Sequence, residues 1–482
     1  MTDGSQTYRF DYDDQGNVRT YTAGNGSGST FNYDHANKIK DLVVGTSNGI
    51  LLSERYEYDQ AGNRTKIKHE GAGGNVTETN FGYDPINQLL NETLPNGTSK
   101  SYTYDGFGNR TSVKVVENGK ETKSIAATFN EGNQLVKFGN ESLMYDANGN
   151  RISDGKYKYI WNENDQLVSI TKQGESNAFA TYKYDENNRR IEKSVNGQVT
   201  RYFYDGDSIN LLYETDGSGT VLRQYVYSIN GARLAMKSKG QTLYYHYNPR
   251  GDVVAMTDQN REVVATYEYD AWGNVVKSEA KGIAADNAFG YAGYMYDKEI
   301  GMYYLIARYY NPDHGVFLSV DPDPGDSDDP VTQNGYTYAD NNPVMNIDPD
   351  GHYAMRIKTK LRQAWGKVDR KVTQWSKNDY VGKHVATKTA KGARNGAMFG
   401  GLAGAGYTQF NRVFKVGRGV GGLGPKKFTP ANVGFIGGAV IGGHVGASKG
   451  AVSGYAQHWI GKGYVKVKPK AITWWNSRKK RK

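Results

Sequence analysis

The sequence predicts a mainly β protein, a coiled sheet of stacked hairpins forming a shell, followed by a small α-helical, Gly-rich C-terminal domain. Three observations lead there. A Tyr-Asp pair recurs through the first 300 residues, Gly and Tyr are abundant at 60 and 38 residues, and an almost acid-free tail follows residue 351. Apolar residues make up only 37% of the chain, which suits a Tyr-rich β-repeat better than a Leu/Val-cored enzyme.

The repeats come first in the chain, and a fixed period of this kind marks a stacked architecture. Tyr-Asp occurs at Tyr12-Asp13, Tyr33-Asp34, Tyr58-Asp59, Tyr83-Asp84, Tyr104-Asp105, Tyr145-Asp146, Tyr184-Asp185, Tyr204-Asp205, Tyr269-Asp270 and Tyr296-Asp297. The early intervals run 21, 25, 25 and 21 residues. Units such as "YEYDQAGNRTKI" and "YTYDGFGNRTSV" read as a strand of period two, a turn carried by Gly-Asn, and a second strand. Gly and Asn tolerate positive φ, and Asp bonds the turn backbone through its side chain. One such hairpin is marginal alone, so neighbours must stack, and the expected result is one long coiled sheet. The Tyr-Asp pairs are therefore read as scaffold rather than chemistry.

Composition bounds the chemistry. There is no Cys, which excludes disulfides, thiolate metal sites and Cys nucleophiles. The opening "MTDGSQTYRF" has neither a basic nor an apolar segment of the signal-peptide kind, so none is expected there. Residues 352–482 contain 27 Lys and Arg against two acids, Asp369 and Asp379, a net +25. Residues 1–351 hold 33 basic and 48 acidic residues, a net −15. An acidic body joined to a cationic tail implies mutual neutralisation, and a free tail that favours nucleic acid or an anionic membrane.

The segment joining the two carries the most specific signal. "GYMYDKEIGMYYLIARYYNPDHGVFLSVDPDPG", then "NGYTYADNNPVMNIDPDG", covers residues 293–351. With the repeats it resembles the YD-repeat (RHS) family of bacterial wall-associated proteins, Rhs effectors and the C subunits of insecticidal toxin complexes. The resemblance implies three regions: a YD-repeat β-shell at 1–292, an RHS-associated core at 293–351 and a variable toxin domain at 352–482. It implies a polymorphic toxin, secreted or attached to the cell wall, whose tail is held inside its own shell and countered by a cognate immunity protein. It further implies self-cleavage of the aspartate-protease type, with Arg308, Asp321 and Asp348 matching the family's residues and the cut near Gly351-His352. That chemistry needs one ionised carboxylate to activate water and one protonated carboxyl to donate, and two adjacent carboxyls divide their titration in this way. Read alone, Asp-Pro-x-Gly is simply a good turn. No cofactor or metal is called for.

The tail offers two stripes of glycine four apart: Gly392, Gly396, Gly400 and Gly404, then Gly434, Gly438, Gly442, Gly446, Gly450 and Gly454. On helices these would form smooth faces for close backbone approach. Ten glycines in soluble helices would cost roughly 10 kcal/mol relative to Ala, so an apolar surrounding is indicated. Residues 395–411 carry no charge and 428–448 only His444. These stretches reach about 25–30 Å, one bilayer core. Trp474 and Trp475 beside Arg478, Lys479, Lys480 and Arg481 suit anionic lipid or, equally, RNA phosphate with stacking platforms.

The leading expectation is thus a membrane-perturbing glycine-zipper hairpin. The alternative is a ribonuclease of the tRNA-cleaving kind, working through His384, His444 and His458, because two acids are too few for a metal nuclease. An adhesive repeat protein is the third reading.

Overall fold

Alternation along the strands decides the wall of the molecule. In Ala180–Tyr184, Ala180 and Tyr182 are buried while Thr181 and Lys183 face solvent, the pattern of a sheet with one covered face. The computed structural model describes residues 1–46, 49–70, 74–322, 325, 330–352 and 354–356. The glycine stripes, the tail histidines and the Trp474–Arg481 cluster lie outside the described residues. So does the expected α-helical C-terminal domain.

Instead of one coiled sheet, the repeats form two. Thirteen antiparallel strands run from Arg9–Tyr12 to Glu141–Ser142, and fourteen from Met144–Tyr145 to Val275–Ala280. In both, strands pair with their chain neighbours, so each sheet is an uninterrupted meander. The break falls where the strands shrink to two residues each, Glu141–Ser142 and Met144–Tyr145. Leu143 between them turns inward, buried, and its N–H closes on the Val136 carbonyl at 2.9 Å. With so few residues on either side, no ladder crosses the junction.

The Gly-Asn turns are as the sequence predicts, and their coordinates explain the motif. In the Tyr58-Asp59 unit, Asp59 Oδ1 accepts the Asn63 N–H at 2.8 Å, and Gly62 adopts φ +82°. The Asn63 amide donates to Asp59 Oδ2 at 3.0 Å and to Asn87 Oδ1 of the next such turn at 2.7 Å. The tyrosine bonds backward: Tyr58 donates to the Ile39 carbonyl, Tyr83 to that of Arg64 and Tyr104 to that of Leu89, at 2.6–2.7 Å. A buried phenol thus finds a partner one repeat away, which is what makes the unit repeat. Because the connections alternate, all these turns share one rim.

In four turns of the same build another residue stands where the aspartate would be. Asn130, Asn162, Ser228 and Asn248 take the place of the aspartate, their side-chain oxygens accepting the same backbone N–H groups. Conversely Asp297, in the last Tyr-Asp pair, caps no such turn. It is fully buried and held by Arg190 and Lys193.

A four-stranded sheet, Met295–Asp297, Met302–Tyr304, Tyr309–Asn311 and Val316–Phe317, is buried between the two large ones. Tyr291, Tyr303, Tyr310, Phe317 and Tyr338 form its aromatic heart. Two repeat arginines point inward: Arg110, after Asn109, lies 4.3 Å from the Trp272 ring, and Arg190, after Arg189, lies 4.4 Å from that of Tyr304 in the small sheet.

From residue 334 the chain runs along the turn rim, towards earlier repeats. Asn334 donates to Phe107 O and Asn109 Oδ1, Asn341 to Gln88 Oε1 and Gly108 O, and Asn342 to Asn63 Oδ1 and Asn87 O. The left-handed run at Ala339, Asp340 and Asn341 aims these side chains. Beyond the rim, Met355–Arg356 pairs antiparallel with Asn346–Ile347, and Arg356 reaches the Ala61 carbonyl at 3.0 Å.

Candidate active site

The three residues singled out in the joint meet around one guanidinium. Arg308 starts from the bend between Met302–Tyr304 and Tyr309–Asn311, where Ile306 takes φ +68° and Leu305 N–H bonds the Arg308 carbonyl. Its side chain is 2% exposed and lies over Phe317, the guanidinium carbon 3.6 Å from the ring centroid. Nη2 contacts Asp321 Oδ2 at 2.7 Å and Asp348 Oδ2 at 3.0 Å. Both carboxylates therefore share one nitrogen. Nη1 donates to the Gly335 carbonyl at 3.0 Å, which also accepts the Asp321 N–H at 3.0 Å. Gly335 thereby aligns Arg308 with Asp321.

The remaining donor is the informative one. Arg308 Nε reaches the Gly351 carbonyl at 2.6 Å. The other side of that peptide bond is engaged as well, since the His352 N–H donates to Asp348 Oδ1 at 3.1 Å. The backbone is forced into this place. Gly351 has φ +78°, and a Cβ there would lie 2.7 Å from the Leu305 carbonyl and 3.0 Å from the Arg308 nitrogen. Ala307 N–H bonds Asp350 O at 3.1 Å and fastens the joint to the same bend.

The two carboxyls sit in unequal surroundings. Asp348 is 1% exposed, and burial pushes its carboxyl above the usual range despite the pull of Arg308. Its backbone N–H donates to Tyr294 OH at 2.9 Å, and Tyr294 in turn shares a hydrogen bond with Tyr338 at 3.1 Å. Asp321 keeps 16% of its side chain open. One carboxyl is thus disposed to hold a proton and the other to meet water. A turn alone accounts for Asp348 accepting the Gly351 and His352 N–H groups. It does not account for a buried Arg that joins that aspartate to a second one and to the carbonyl between them.

Sequence reasoning named Arg308, Asp321 and Asp348, but missed Gly335, Tyr294, Tyr338 and Phe317. None of these four carries a local signal, because each acts through a partner far along the chain. Among the described residues no group of three or more His, Asp or Glu side chains is placed to hold a metal ion. No helix among them is long and apolar enough to cross a membrane.

Comparison with known proteins follows the fold. A family described as Teneurin YD-shell matches residues 27–344. The tRNA3(Ser)-specific nuclease WapA of Bacillus spizizenii is 52% identical over 358 residues, 74% of this chain and 15% of that protein. The tRNA nuclease WapA of Bacillus subtilis is 51% identical with the same coverage. The double-stranded DNA deaminase toxin A of Burkholderia cenocepacia is 25% identical over 392 residues, covering 73% of this chain and 25% of that protein. The crystal structure of TcdB2-TccC3-Cdc42 superposes with a TM-score of 0.61 at 21% identity, covering 71% of this chain and 19% of that one, a likeness of fold. The chain spans about 15% of the length of the Bacillus relatives. The family match stops before the joint's last turn and does not include the tail. With a matched YD-shell, a Tyr-Asp scaffold and toxin relatives, the chain belongs to the RHS/YD-repeat family.

Proposed function

We propose that this chain is the closing portion of a polymorphic toxin shell that cuts itself at the joint and frees a cationic C-terminal effector. The observation that carries the reading is Arg308 touching both carboxylates and the Gly351 carbonyl at once.

Water entering at the more open Asp321 gives a proton to its carboxylate and attacks the Gly351 carbonyl carbon. Arg308 Nε holds the developing oxyanion. Protonated Asp348, beside the His352 nitrogen, supplies the proton for the leaving amine as the C–N bond breaks. The products are a Gly351 carboxylate and a new amino terminus at His352. The proposed regions are a YD-repeat shell at 1–292, a core at 293–351 and an effector at 352–482, partnered by an immunity protein and acting outside the producing cell. The test is a gel of the purified chain against Asp348→Asn. The reading expects two fragments from wild type and one band from the variant, and a single wild-type band rejects it.

For the effector, the glycine stripes with the stretches 395–411 and 428–448, which hold no Lys, Arg, Asp or Glu, support a zipper hairpin that perturbs membranes, and the names of the two Bacillus relatives support cleavage of tRNA instead. Purified tail added to dye-loaded anionic liposomes and, in parallel, to total tRNA separates the two. Leakage with intact tRNA supports the first reading, and cut tRNA with sealed liposomes supports the second.

A further inference from the structure

A second carboxyl pair lies outside the joint, where the last hairpin of the fourteen-stranded sheet meets the middle of the thirteen-stranded one. Glu92, on strand Leu89–Thr93, is fully buried. One of its oxygens accepts Tyr102 OH at 2.6 Å, and the other accepts the Ala271 N–H at 2.8 Å. Ala271 belongs to the turn joining Val263–Tyr269 to Val275–Ala280, so this bond crosses between the two sheets. Asp270 in that turn, 1% exposed, accepts the Lys100 ammonium from strand Ser99–Tyr104 at 2.5 Å, a second crossing.

Lys100 contacts Asp270 directly, and Glu92 lies near enough to feel the charge of both. The contact also separates two cavities of ≈330 and ≈340 Å³; Asp270 lines both. Packing around it is incomplete on either side, and protons have a route in.

We propose that Glu92, Asp270 and Lys100 form a proton-operated clasp that fastens the Val263–Ala280 hairpin to the first sheet. Two buried carboxylates beside one ammonium are stable when one of them carries a proton. Burial, then the neighbouring Asp270 charge, pushes Glu92 up to about 7, against the pull of Lys100, Tyr102 and the Ala271 N–H. Charged groups facing the pair include Arg110, which stacks on Trp272 of the same turn, with Glu117, Lys123 and Asp313 along the first cavity, and the Arg250–Asp252 pair, Arg64 and Glu268 along the second. The His69–Glu54 pair lines that cavity too.

The direction follows from linkage. A detached Glu92 releases its proton near 4.5, whereas the clasped one keeps it to about 7. Between those values the clasped state binds the extra proton, so its stability is complete below about pH 4.5 and falls as pH rises, reaching its floor once pH passes about 7. The clasp is tight in acid and loose from neutrality upward.

Hydrogen exchange of the full chain, read on a peptide containing the Ala271 amide and divided by the intrinsic rate, tests this. Wild type should show exchange there rising about tenfold per pH unit between pH 5 and 7 and levelling off above. The Val253 amide, in the same sheet, should not follow. Glu92→Gln should flatten the Ala271 profile, with His69 and Glu54 unchanged. A flat wild-type profile overturns the clasp, as does a variant that keeps the wild-type slope. If the variant does not fold, the wild-type profile decides alone.

Discussion

Asp59 and Asp348 begin the same kind of turn and have different fates. Each accepts the N–H of the residue four positions on, at 2.8 Å in one case and 3.1 Å in the other. Each turn has a glycine in the left-handed region, Gly62 and Gly351. Asp59 is half-buried on the rim, and its second oxygen is taken by the Asn63 amide. Asp348 is buried, and its second oxygen faces Arg308. The titration of such groups diverges accordingly. At Asp13, another rim aspartate, slight burial is outweighed by hydrogen bonds from Asn17, Gln15 and Gly16, and the carboxyl falls below its usual range. At Asp348 burial wins and the carboxyl rises. The local motif sets the turn; the distant partner decides whether it can do chemistry.

Substitutions break the comparison from the joint outward. Arg308→Ala should have the largest effect, leaving the buried Asp348 carboxyl and the Gly351 carbonyl without their donor at a cost of about 1–3 kcal/mol and stopping cleavage altogether. Thermal unfolding and a gel time course read both. Arg308→Lys keeps the charge but cannot serve two carboxylates and the Gly351 carbonyl together, so cleavage should slow about 10²-fold with stability largely kept.

Gly351→Ala comes next. It places a methyl against the Leu305 carbonyl in a left-handed backbone, costing about 1–3 kcal/mol, and pulls the carbonyl off Arg308, so cleavage should slow while the repeats stay folded. On the rim, Asp59→Ala should cost about 1 kcal/mol and leave the cleavage rate alone. If Asp59→Ala slows cleavage as much as Gly351→Ala does, the two turns are not separable in function. Tyr83→Phe, which removes only the bond to the Arg64 carbonyl, should be smallest, at or below about 1 kcal/mol by chemical denaturation.

Much of the wall was legible because Tyr-Asp and Gly-Asn encode a turn through local chemistry. The turns headed by Asn130, Asn162, Ser228 and Asn248 were not, since an amide or hydroxyl oxygen accepts the same N–H groups without spelling the motif. Nor was the split into two sheets, which depends on how few residues flank Leu143. In the joint, Arg308, Asp321 and Asp348 were picked out by family resemblance, yet their meeting on one guanidinium nitrogen is a tertiary fact. The same holds for Gly335 and Tyr294, whose carbonyl and hydroxyl act on residues brought near only by the fold. Asp297 is the instructive miss: it carries the repeat's signature, but Arg190, 107 positions away, turns it into a core ion pair.

The central claim is that the Asp348 turn, unlike its counterparts on the rim, breaks the peptide bond it holds. Intact mass and amino-terminal sequencing of the purified chain test it most directly. A tail fragment beginning at His352, absent from Asp348→Asn, is the predicted result. A chain that stays whole, or one cut at a different bond, contradicts the account.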